Sequence, residues 1–232
     1  MENETMDLDE VAVYLHRDKR EVSKLADRGH LPARKVGGEW RFARAEINHW
    51  IETQLPDYSE PQLRALEARD TRSEGQEPLI TRLLVEESIA VPLRASSRSS
   101  VLRELVRLAE QSSHVYDPVA IRTAIGQREE MGSTALPSGV AIPHPRRPLP
   151  AALGESVLAY GRTTTGIPFG APHGALTDVF FLVCCRDQAT HLRVLARLSR
   201  LLLRPGFLDE LRSVPDPAET RQLLETAEKE LA

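Results

Sequence analysis

Apolar positions in the second half of the chain follow two periods, one helical and one extended. Apolar side chains three and four positions apart predict amphipathic helices, and continuous apolar runs between turn residues predict buried strands. We expect Ser99 or Ser100 to cap the first helix. The predicted elements cover residues 97–111, 155–161, 177–185, 188–203, 206–214 and 217–231. Helices and strands mixed in this way predict an α/β fold with a mixed sheet and helices packed on it.

Residues 1–54 have a different pattern, which predicts a small helical domain with a hairpin. Gly37-Gly38 lies between apolar residues, and this dipeptide favours a tight hairpin turn. We expect Trp40 and Trp50 to belong to the small core. The predicted helices are a short one with Val11, Ala12 and Leu15 on its apolar face, a second from Lys19 to Arg28 after a break at residues 16–18, and a third from Ala43 to Ile51.

The segment from Gln54 to Pro78 has three prolines, one glycine and many charged residues. Only the stretch from Leu63 to Ala68 has a helical pattern. We therefore interpret residues 55–77 as a linker that is helical in part, between a domain over residues 1–54 and a domain over residues 78–232.

Composition limits the class of protein. The chain of 232 residues is 41% hydrophobic and 28% charged, which is ordinary for two globular domains. No apolar run approaches the roughly 20 residues that span a bilayer, and the acidic start predicts no signal peptide, so we expect a cytoplasmic protein. Cys184 and Cys185 are adjacent in a predicted strand and point to opposite faces, which excludes an ordinary disulfide between them. We expect no metal site.

Residues 122–147 carry the most informative candidate chemistry. Pro143 and Pro145 fix the backbone on both sides of His144 and remove two hydrogen-bond donors, so His144 is expected in a loop. Residues 140–142 form an apolar run that predicts a short strand ending just before His144. Upstream, a helix is expected to begin at Asp117-Pro118 and to end at Gly132.

Three polar residues accompany this histidine in the sequence. Arg128 lies in the last turns of the predicted helix, and Ser133 and Thr134 follow it. A neutral imidazole is a nucleophile near pH 7, and a phosphoryl group on it would find a bidentate donor in Arg128 and hydroxyl donors in Ser133 and Thr134. Taken alone, Arg128 fits equally well as a solvated cation at a helix end, and His144 as a surface-loop residue.

His191 belongs to the same hypothesis through helical geometry. His191, Leu195, Leu198 and Leu202 share one face of the predicted helix, and we expect that face to be buried. A histidine in a first helical turn lies near the positive end of the helix dipole, which suits a neighbouring anion. The alternative is a histidine at the edge of the core that is hydrogen-bonded to a carbonyl.

The segments REEMGSTALPSGVAIPHPR and THLRVLARLSRLL resemble the IIA domains of the mannitol/fructose class of the bacterial sugar phosphotransferase system, which includes the nitrogen-regulatory IIA proteins. The resemblance extends from Pro78 to the C-terminus. It implies that His144 is phosphorylated by the phosphocarrier HPr, that Arg128 lies beside the phosphoryl group and that His191 is the second active-site histidine; it implies no cofactor and no metal. The chain departs from the usual pattern at Met131, Pro137 and His173.

The segment LPARKVGGEWRFARAEINHWI, within a resemblance over Met6 to Glu52, is similar to winged helix-turn-helix domains of the excisionase and MerR type. That resemblance implies binding to DNA. Residues 16–44 contain nine Lys/Arg and four Asp/Glu, a balance of +5, although the whole chain has a net charge of −4. In such domains the second helix enters the major groove. The candidates are Lys19, Arg20, Ser23 and Lys24 for bases, and Arg34, Lys35 and Arg41 for phosphates.

The sequence therefore predicts a DNA-binding regulator with a domain that accepts a phosphoryl group from HPr on His144. One alternative is a transport component that passes the phosphoryl group to a IIB domain. Another alternative is a DNA-binding module whose IIA domain only docks protein partners.

Overall fold

A computed structural model of the chain describes residues 5–15, 17–68 and 78–231. These residues form two compact units, which divide between Asp57 and Tyr58. Among the residues described, no helix is both long enough and apolar enough to cross a lipid bilayer.

The smaller unit is a pair of helices followed by a hairpin and a third helix. Asp18 ends the break before the second helix, where its side chain accepts a hydrogen bond of 2.8 Å from the backbone N–H of Arg20 and so caps that helix. In chain order the elements are β1 (Thr5–Met6), α1 (Leu8–Leu15), α2 (Lys19–Asp27), β2 (Arg34–Val36), β3 (Glu39–Ala43) and α3 (Arg44–Gln54). The three predicted helices are thus confirmed.

The predicted hairpin is also confirmed. Gly37 and Gly38 have φ values of 61° and 87°, the pair of positive angles that a two-residue type I′ turn requires. Val36 pairs with Glu39 across this turn in an antiparallel register. Strand β1 pairs with the other edge of β3, which gives a three-stranded sheet in the order β1-β3-β2.

The small core is mainly aliphatic with Phe42 as its buried aromatic residue, and the expectation that Trp40 and Trp50 belong to it was wrong. Trp50 is only partly buried, and its indole N–H donates to the backbone carbonyl of His30 at 2.7 Å. Trp40 is also partly exposed, and the ammonium group of Lys35 lies 4.5 Å from the centre of its ring. The buried apolar side chains of this unit include Met6, Val11, Leu15, Val22, Leu31, Phe42, Ile47 and Ile51.

The larger unit is built on a mixed sheet, as the α/β prediction required. In chain order its elements are α4 (Glu60–Glu67), α5 (Ile80–Leu83), β4 (Ile89–Ala90), α6 (Arg98–Ala109), α7 (Pro118–Glu130), β5 (Val140–Ala141), β6 (Val157–Ile167), β7 (Thr177–Cys184), α8 (Gln188–Leu203), α9 (Phe207–Ser213) and α10 (Pro217–Leu231). The strand order is β4-β6-β7-β5, and only the β6–β7 pair is antiparallel. Apolar side chains of α6, α7 and the sheet share one core cluster.

Two details of the predicted helices need correction. The cap of α6 is Ser97, not Ser99 or Ser100, because the Ser97 hydroxyl accepts the backbone N–H of Ser100 while the Ser100 hydroxyl accepts the N–H of Ser97. On α8, Leu202 is only partly buried and Leu201 takes its place in the core.

Helix α4 lies within the segment that we expected to be a linker, and it packs on α8. Leu63 and Leu66 are buried, and Glu67 accepts hydrogen bonds from Arg197 Nε at 2.6 Å and from Arg200 Nη1 at 2.7 Å. All three charged side chains are buried. The contacts of α4 therefore make it part of the larger unit.

A second buried carboxylate joins three elements of this unit. Glu228 on α10 accepts the backbone N–H groups of Leu79, Ile80 and Thr81 at 2.8–2.9 Å, and it also accepts a hydrogen bond from Arg197. Burying a charge is favourable only when it is paired and hydrogen-bonded in this way. Glu228 thereby fixes the start of α5 against α8 and α10.

Candidate functional site

His144 lies in a loop directly after β5, as its two flanking prolines predict. Its Nδ1 atom is 2.7 Å from the backbone carbonyl oxygen of Ile142. Because a carbonyl oxygen only accepts hydrogen bonds, Nδ1 must carry the proton of the neutral ring. The Nε2 atom then holds the lone pair, which makes it the nucleophilic nitrogen of His144.

The loop that carries His144 is fixed at the end of the sheet. Strand β5 pairs in parallel with β7, and beyond β5 the backbone N–H of Val183 donates to the carbonyl of Pro143 at 2.9 Å. A few residues later Leu149 N–H donates to the carbonyl of Cys185 at 3.1 Å. Main-chain hydrogen bonds therefore hold the loop on both sides of His144, whose ring is buried.

His191 lies beside His144, although they are far apart in the sequence. The centres of the two rings are 5.1 Å apart, with planes inclined at 57°. His191 is in the first turn of α8, which Asp187 caps by accepting the backbone N–H of Thr190 at 2.8 Å. Burial of His191 agrees with the predicted inward face of this helix.

Arg128 lies in the last turn of α7 and is buried with 7% of its surface exposed. Its Nη1 donates to the carbonyl of Gly132 at 2.9 Å, which holds the guanidinium at the helix end. Its Nε is buried and has no hydrogen-bond acceptor within the described part of the chain. Buried donors of this kind are costly and uncommon, so the group is suited to an acceptor that a ligand supplies.

Ser133 and Thr134 lie beside the segment between β5 and His144, since the backbone N–H of Ile142 donates to the carbonyl of Thr134 at 3.3 Å. Their hydroxyl protons, however, are already used. Ser133 donates to the carbonyl of Phe169 at 2.8 Å, and Thr134 donates to the carboxylate of Glu129. In this structure both side chains fix the loop that follows α7.

Glu129 and Arg98 are polar residues that the sequence reasoning missed. Glu129 is buried and accepts both the backbone N–H and the hydroxyl of Thr134, and Arg98 forms an ion pair with it. The guanidinium of Arg98 also lies 5.4 Å from the centre of the Phe169 ring. For Glu129, the available sequence signal was its position next to Arg128. No sequence signal pointed to Arg98, because it approaches from α6.

The candidate DNA-contacting residues lie on the surface of the smaller unit. Lys19, Arg20, Ser23 and Lys24 are on α2, Arg34 and Lys35 are on β2, and Arg41 is on β3. Ser23 and Arg41 are partly buried, and the other five residues are exposed. The placement fits a recognition helix and a wing.

Several of these cations have acidic neighbours. Lys19 lies 2.7 Å from Asp9 and Arg41 lies 2.8 Å from Glu39, while longer pairs join Arg34 to Glu46 and Lys35 to Asp27. Exposed pairs of this kind contribute little to stability and exchange readily with other anions. Arg20 and Lys24, by contrast, form no ion pair with any residue that the structure describes.

Two family models match the chain. The one for "Phosphoenolpyruvate-dependent sugar phosphotransferase system, EIIA 2" covers residues 82–227, and a helix-turn-helix model covers residues 5–55. The segment of α4 lies between the two matched ranges.

Known relatives match the larger unit. The chain is 32% identical over 139 residues to the nitrogen regulatory protein of Bradyrhizobium diazoefficiens, covering 59% of this chain and 88% of the relative. It is 31% identical over 134 residues to the fructose-specific EIIABC component of Bacillus subtilis, covering 57% of this chain but only 21% of that protein. The crystal structure of nitrogen regulatory protein IIA-Ntr from Neisseria meningitidis aligns with a TM-score of 0.57 at 27% identity, covering 63% of this chain and 99% of that one.

Proposed function

The chain belongs to the EIIA 2 family of the phosphoenolpyruvate-dependent sugar phosphotransferase system, and from this premise we propose that it is a DNA-binding regulator that accepts a phosphoryl group from HPr on His144. The observation that carries the proposal is the hydrogen bond from Nδ1 of His144 to the carbonyl of Ile142. It supports Nε2 as the atom that is phosphorylated.

The transfer itself requires no net movement of protons. Nε2 of His144 attacks the phosphorus in line as the bond between phosphorus and the donor imidazole breaks, and the donor nitrogen keeps the electron pair of that bond. Nδ1 of His144 keeps its proton throughout. The new positive charge on the His144 ring is stabilised because that proton continues to point at the Ile142 carbonyl oxygen.

We assign Arg128 to the phosphoryl oxygens. Its buried Nε–H has no acceptor among the residues that the structure describes, and its guanidinium offers a planar set of donors to an oxyanion. His191 flanks the His144 ring and restricts its orientation. Ser133 and Thr134 position the loop after α7, and the main chain of Thr134 binds that of Ile142 in the segment that leads to the His144 ring.

For the smaller unit we propose sequence-specific DNA binding. The recognition residues are those on α2, with Arg20 and Lys24 as the strongest candidates because no carboxylate pairs with them within the described residues. Arg34, Lys35 and Arg41 then contact phosphates from the wing. Both proposed partners, HPr and chromosomal DNA, are cytoplasmic, so the proposal places the protein in the cytoplasm.

A second candidate function is supported by the likeness to a fructose-specific component. On that alternative the phosphoryl group passes from His144 to a IIB domain and the smaller unit only tethers the protein. Transfer of label from the phosphorylated chain to an isolated IIB domain would favour transport. DNA affinity that differs between phosphorylated and unphosphorylated protein at one salt concentration would favour regulation.

The direct test is incubation with labelled phosphoenolpyruvate, enzyme I and HPr. We expect acid-labile label on the wild type and on the control His114→Gln, because the hydrogen bonds of His114 within the described structure use only its main chain. We expect none on His144→Gln. Because the ring is buried, the labelling rate also reports how readily it becomes accessible to the donor. Label that persists in His144→Gln overturns the proposal, and a fully unlabelled wild type leaves only the protein-docking alternative.

A further inference from the structure

The larger unit contains a cavity of about 350 Å³ that two arginines help to line and that is separate from the His144 site. It is lined by Arg162 and Thr163 of β6, Asp178 of β7 and Arg212 of α9, among others. Asp178 lies at the start of β7, whereas Val183, whose N–H binds the loop of His144, lies five residues further on. At about 3.3 Å per residue along a strand, Asp178 and Val183 are roughly 17 Å apart.

Within this cavity the charge of Arg212 is already balanced. Its Nε and Nη2 donate to the two oxygens of Asp178 at 2.9 and 2.7 Å, and Nη2 also donates to the carbonyl of Ser138 at 2.8 Å. The neighbouring Gly139 permits this approach, because a Cβ there would lie 2.6 Å from Nη2 of Arg212. Arg212 and Asp178 thus form a fixed, nearly neutral wall.

Arg162 supplies the remaining positive charge. Its Nη2 donates to the carbonyl of Val214 at 2.7 Å, which fixes the side chain. Its other guanidinium nitrogens have no hydrogen bond to any residue described. Because a guanidinium presents its donors in one plane, a side chain held by one nitrogen is oriented to receive a bidentate oxyanion with the others.

Tyr160 is a buried neighbour of Arg162 in the sheet and is not among the residues that line the cavity. Tyr160 and Arg162 are two residues apart on β6, so both side chains are on one face of the sheet. The Tyr160 hydroxyl is buried without a hydrogen-bond partner in the described chain, and the charges that act on it are those of Arg162, Asp178 and Arg212. Burial raises the pKa of Tyr160, so the hydroxyl remains a donor at neutral pH.

We propose that this cavity binds a small metabolite through an oxyanion, a carboxylate or a phosphate, held by the free side of the Arg162 guanidinium. The cavity volume is within the range of about 300–1,000 Å³ that small-molecule sites occupy. Its net charge is positive, since two arginines face one aspartate, although Asp209 also acts on Arg212 from α9. The site does not depend on phosphorylation of His144.

Titration of the full chain with inorganic phosphate and, separately, with succinate tests the proposal by calorimetry and by thermal shift. We expect at least one of them to bind saturably, with affinity reduced at least tenfold by Arg162→Gln. Arg162→Lys tests the guanidinium if Arg162→Gln is unstable, and we expect a similar loss. Arg103→Gln, which changes an exposed arginine of α6, should leave binding unchanged.

A variant of the His144 site distinguishes binding in this cavity from binding at His144. Binding that survives Arg128→Gln but is lost in Arg162→Gln or Arg162→Lys belongs to the proposed cavity. A stronger response to phosphate identifies a phosphate ester as the ligand class, and a stronger response to succinate identifies a carboxylate. Absence of saturable binding by either anion, or binding that the Arg162 variants leave intact, overturns the proposal without bearing on the phosphorylation of His144.

Discussion

The site around His144 and the basic face of the smaller unit use positively charged side chains in opposite surroundings. Arg128 is buried, and one of its N–H groups lacks an acceptor in the described chain. Arg20 and Lys24 are exposed to water. A buried charge is weakly screened and acts on one ligand in one geometry, whereas the interactions of exposed charges are largely screened beyond about 8 Å at physiological salt. The first arrangement suits chemistry, and the second suits binding along a polyanion.

The largest effect is expected where a buried charge loses its partner. Glu67→Ala removes the carboxylate that pairs with both buried arginines and leaves each paired with another carboxylate, Glu228 for Arg197 and Glu60 for Arg200. We expect a loss of about 3–5 kcal/mol in the free energy of unfolding, measured by urea denaturation. The control Glu225→Ala, which removes an exposed pair with Lys229 on α10, should leave the unfolding midpoint nearly unchanged. Equal effects in the two variants would show that α4 is not held by its ion pairs.

The ion pairs of Glu67 with Arg197 and Arg200 also make the free energy of unfolding depend on pH in a defined direction. Burial alone raises the pKa of Glu67, but hydrogen bonds and positive charge from Arg197 and Arg200 outweigh it and hold the pKa below its ordinary value of 4.5. A lowered folded-state pKa gives stability that is present above pH 4.5 and is lost as the pH falls through the folded value. The stability gap between wild type and Glu67→Gln should therefore narrow below about pH 4.5; a constant gap would contradict the assignment.

The next effect concerns phosphoryl transfer. Arg128→Lys keeps the charge but loses the planar donor set, and we expect labelling of His144 to slow by about 10²-fold. Arg122→Lys, an exposed change on the same helix, is the matched control and should transfer at the wild-type rate. Rapid-quench measurement with phosphorylated HPr gives both rates. Unchanged transfer in Arg128→Lys would remove Arg128 from the site.

On the exposed face, effects are expected to be smaller and salt-dependent. Arg20→Ala or Lys24→Ala should weaken binding to a cognate operator by about 1–3 kcal/mol if the side chain contacts a base. Anisotropy titrations at several salt concentrations separate this loss from a phosphate contact, which lowers the salt slope by about one. Arg103→Ala, on the larger unit, serves as the control. Wild-type affinity in both α2 variants would argue against α2 as the recognition helix.

The smallest effect is expected at the exposed pair between Lys19 and Asp9. Asp9→Asn should change the free energy of unfolding by less than about 1 kcal/mol. It should nevertheless raise DNA affinity a few-fold, because it frees Lys19 and removes a negative charge near the proposed groove-facing helix. Reduced affinity would indicate that Asp9 orients Lys19 toward DNA instead of competing with it.

Local signals explain which elements could be predicted. The observed bounds of α8 equal the predicted ones because its apolar residues keep the helical period to Leu203. The turn at Gly37-Gly38 was predicted because both residues of such a turn need positive φ. The strands β1 and β4 have only two residues each, which is too short for any periodic pattern. The sequence prediction placed the cap of α6 wrongly because two serines precede Arg98 and two follow it, and all four offer similar capping groups.

The candidate site was predictable only as far as the motif extended. The loop position of His144 followed from its two prolines, but the roles of Ser133 and Thr134 depend on Phe169 and Glu129, which meet them only in the folded chain. The docking of α4 is likewise non-local, since Glu67 and Arg197 are 130 residues apart. Charge and composition alone suggested a linker there.

The most direct test of the account is the position of the phosphoryl group on the ring. Uniform ¹⁵N labelling of histidine, followed by phosphorylation through HPr, allows Nδ1 and Nε2 to be distinguished by their chemical shifts and their coupling to ³¹P. Because the Ile142 carbonyl keeps the proton on Nδ1, we expect a single phosphohistidine, substituted at Nε2 of His144. Substitution at Nδ1, or on any other residue, would contradict the mechanism that the backbone geometry supports.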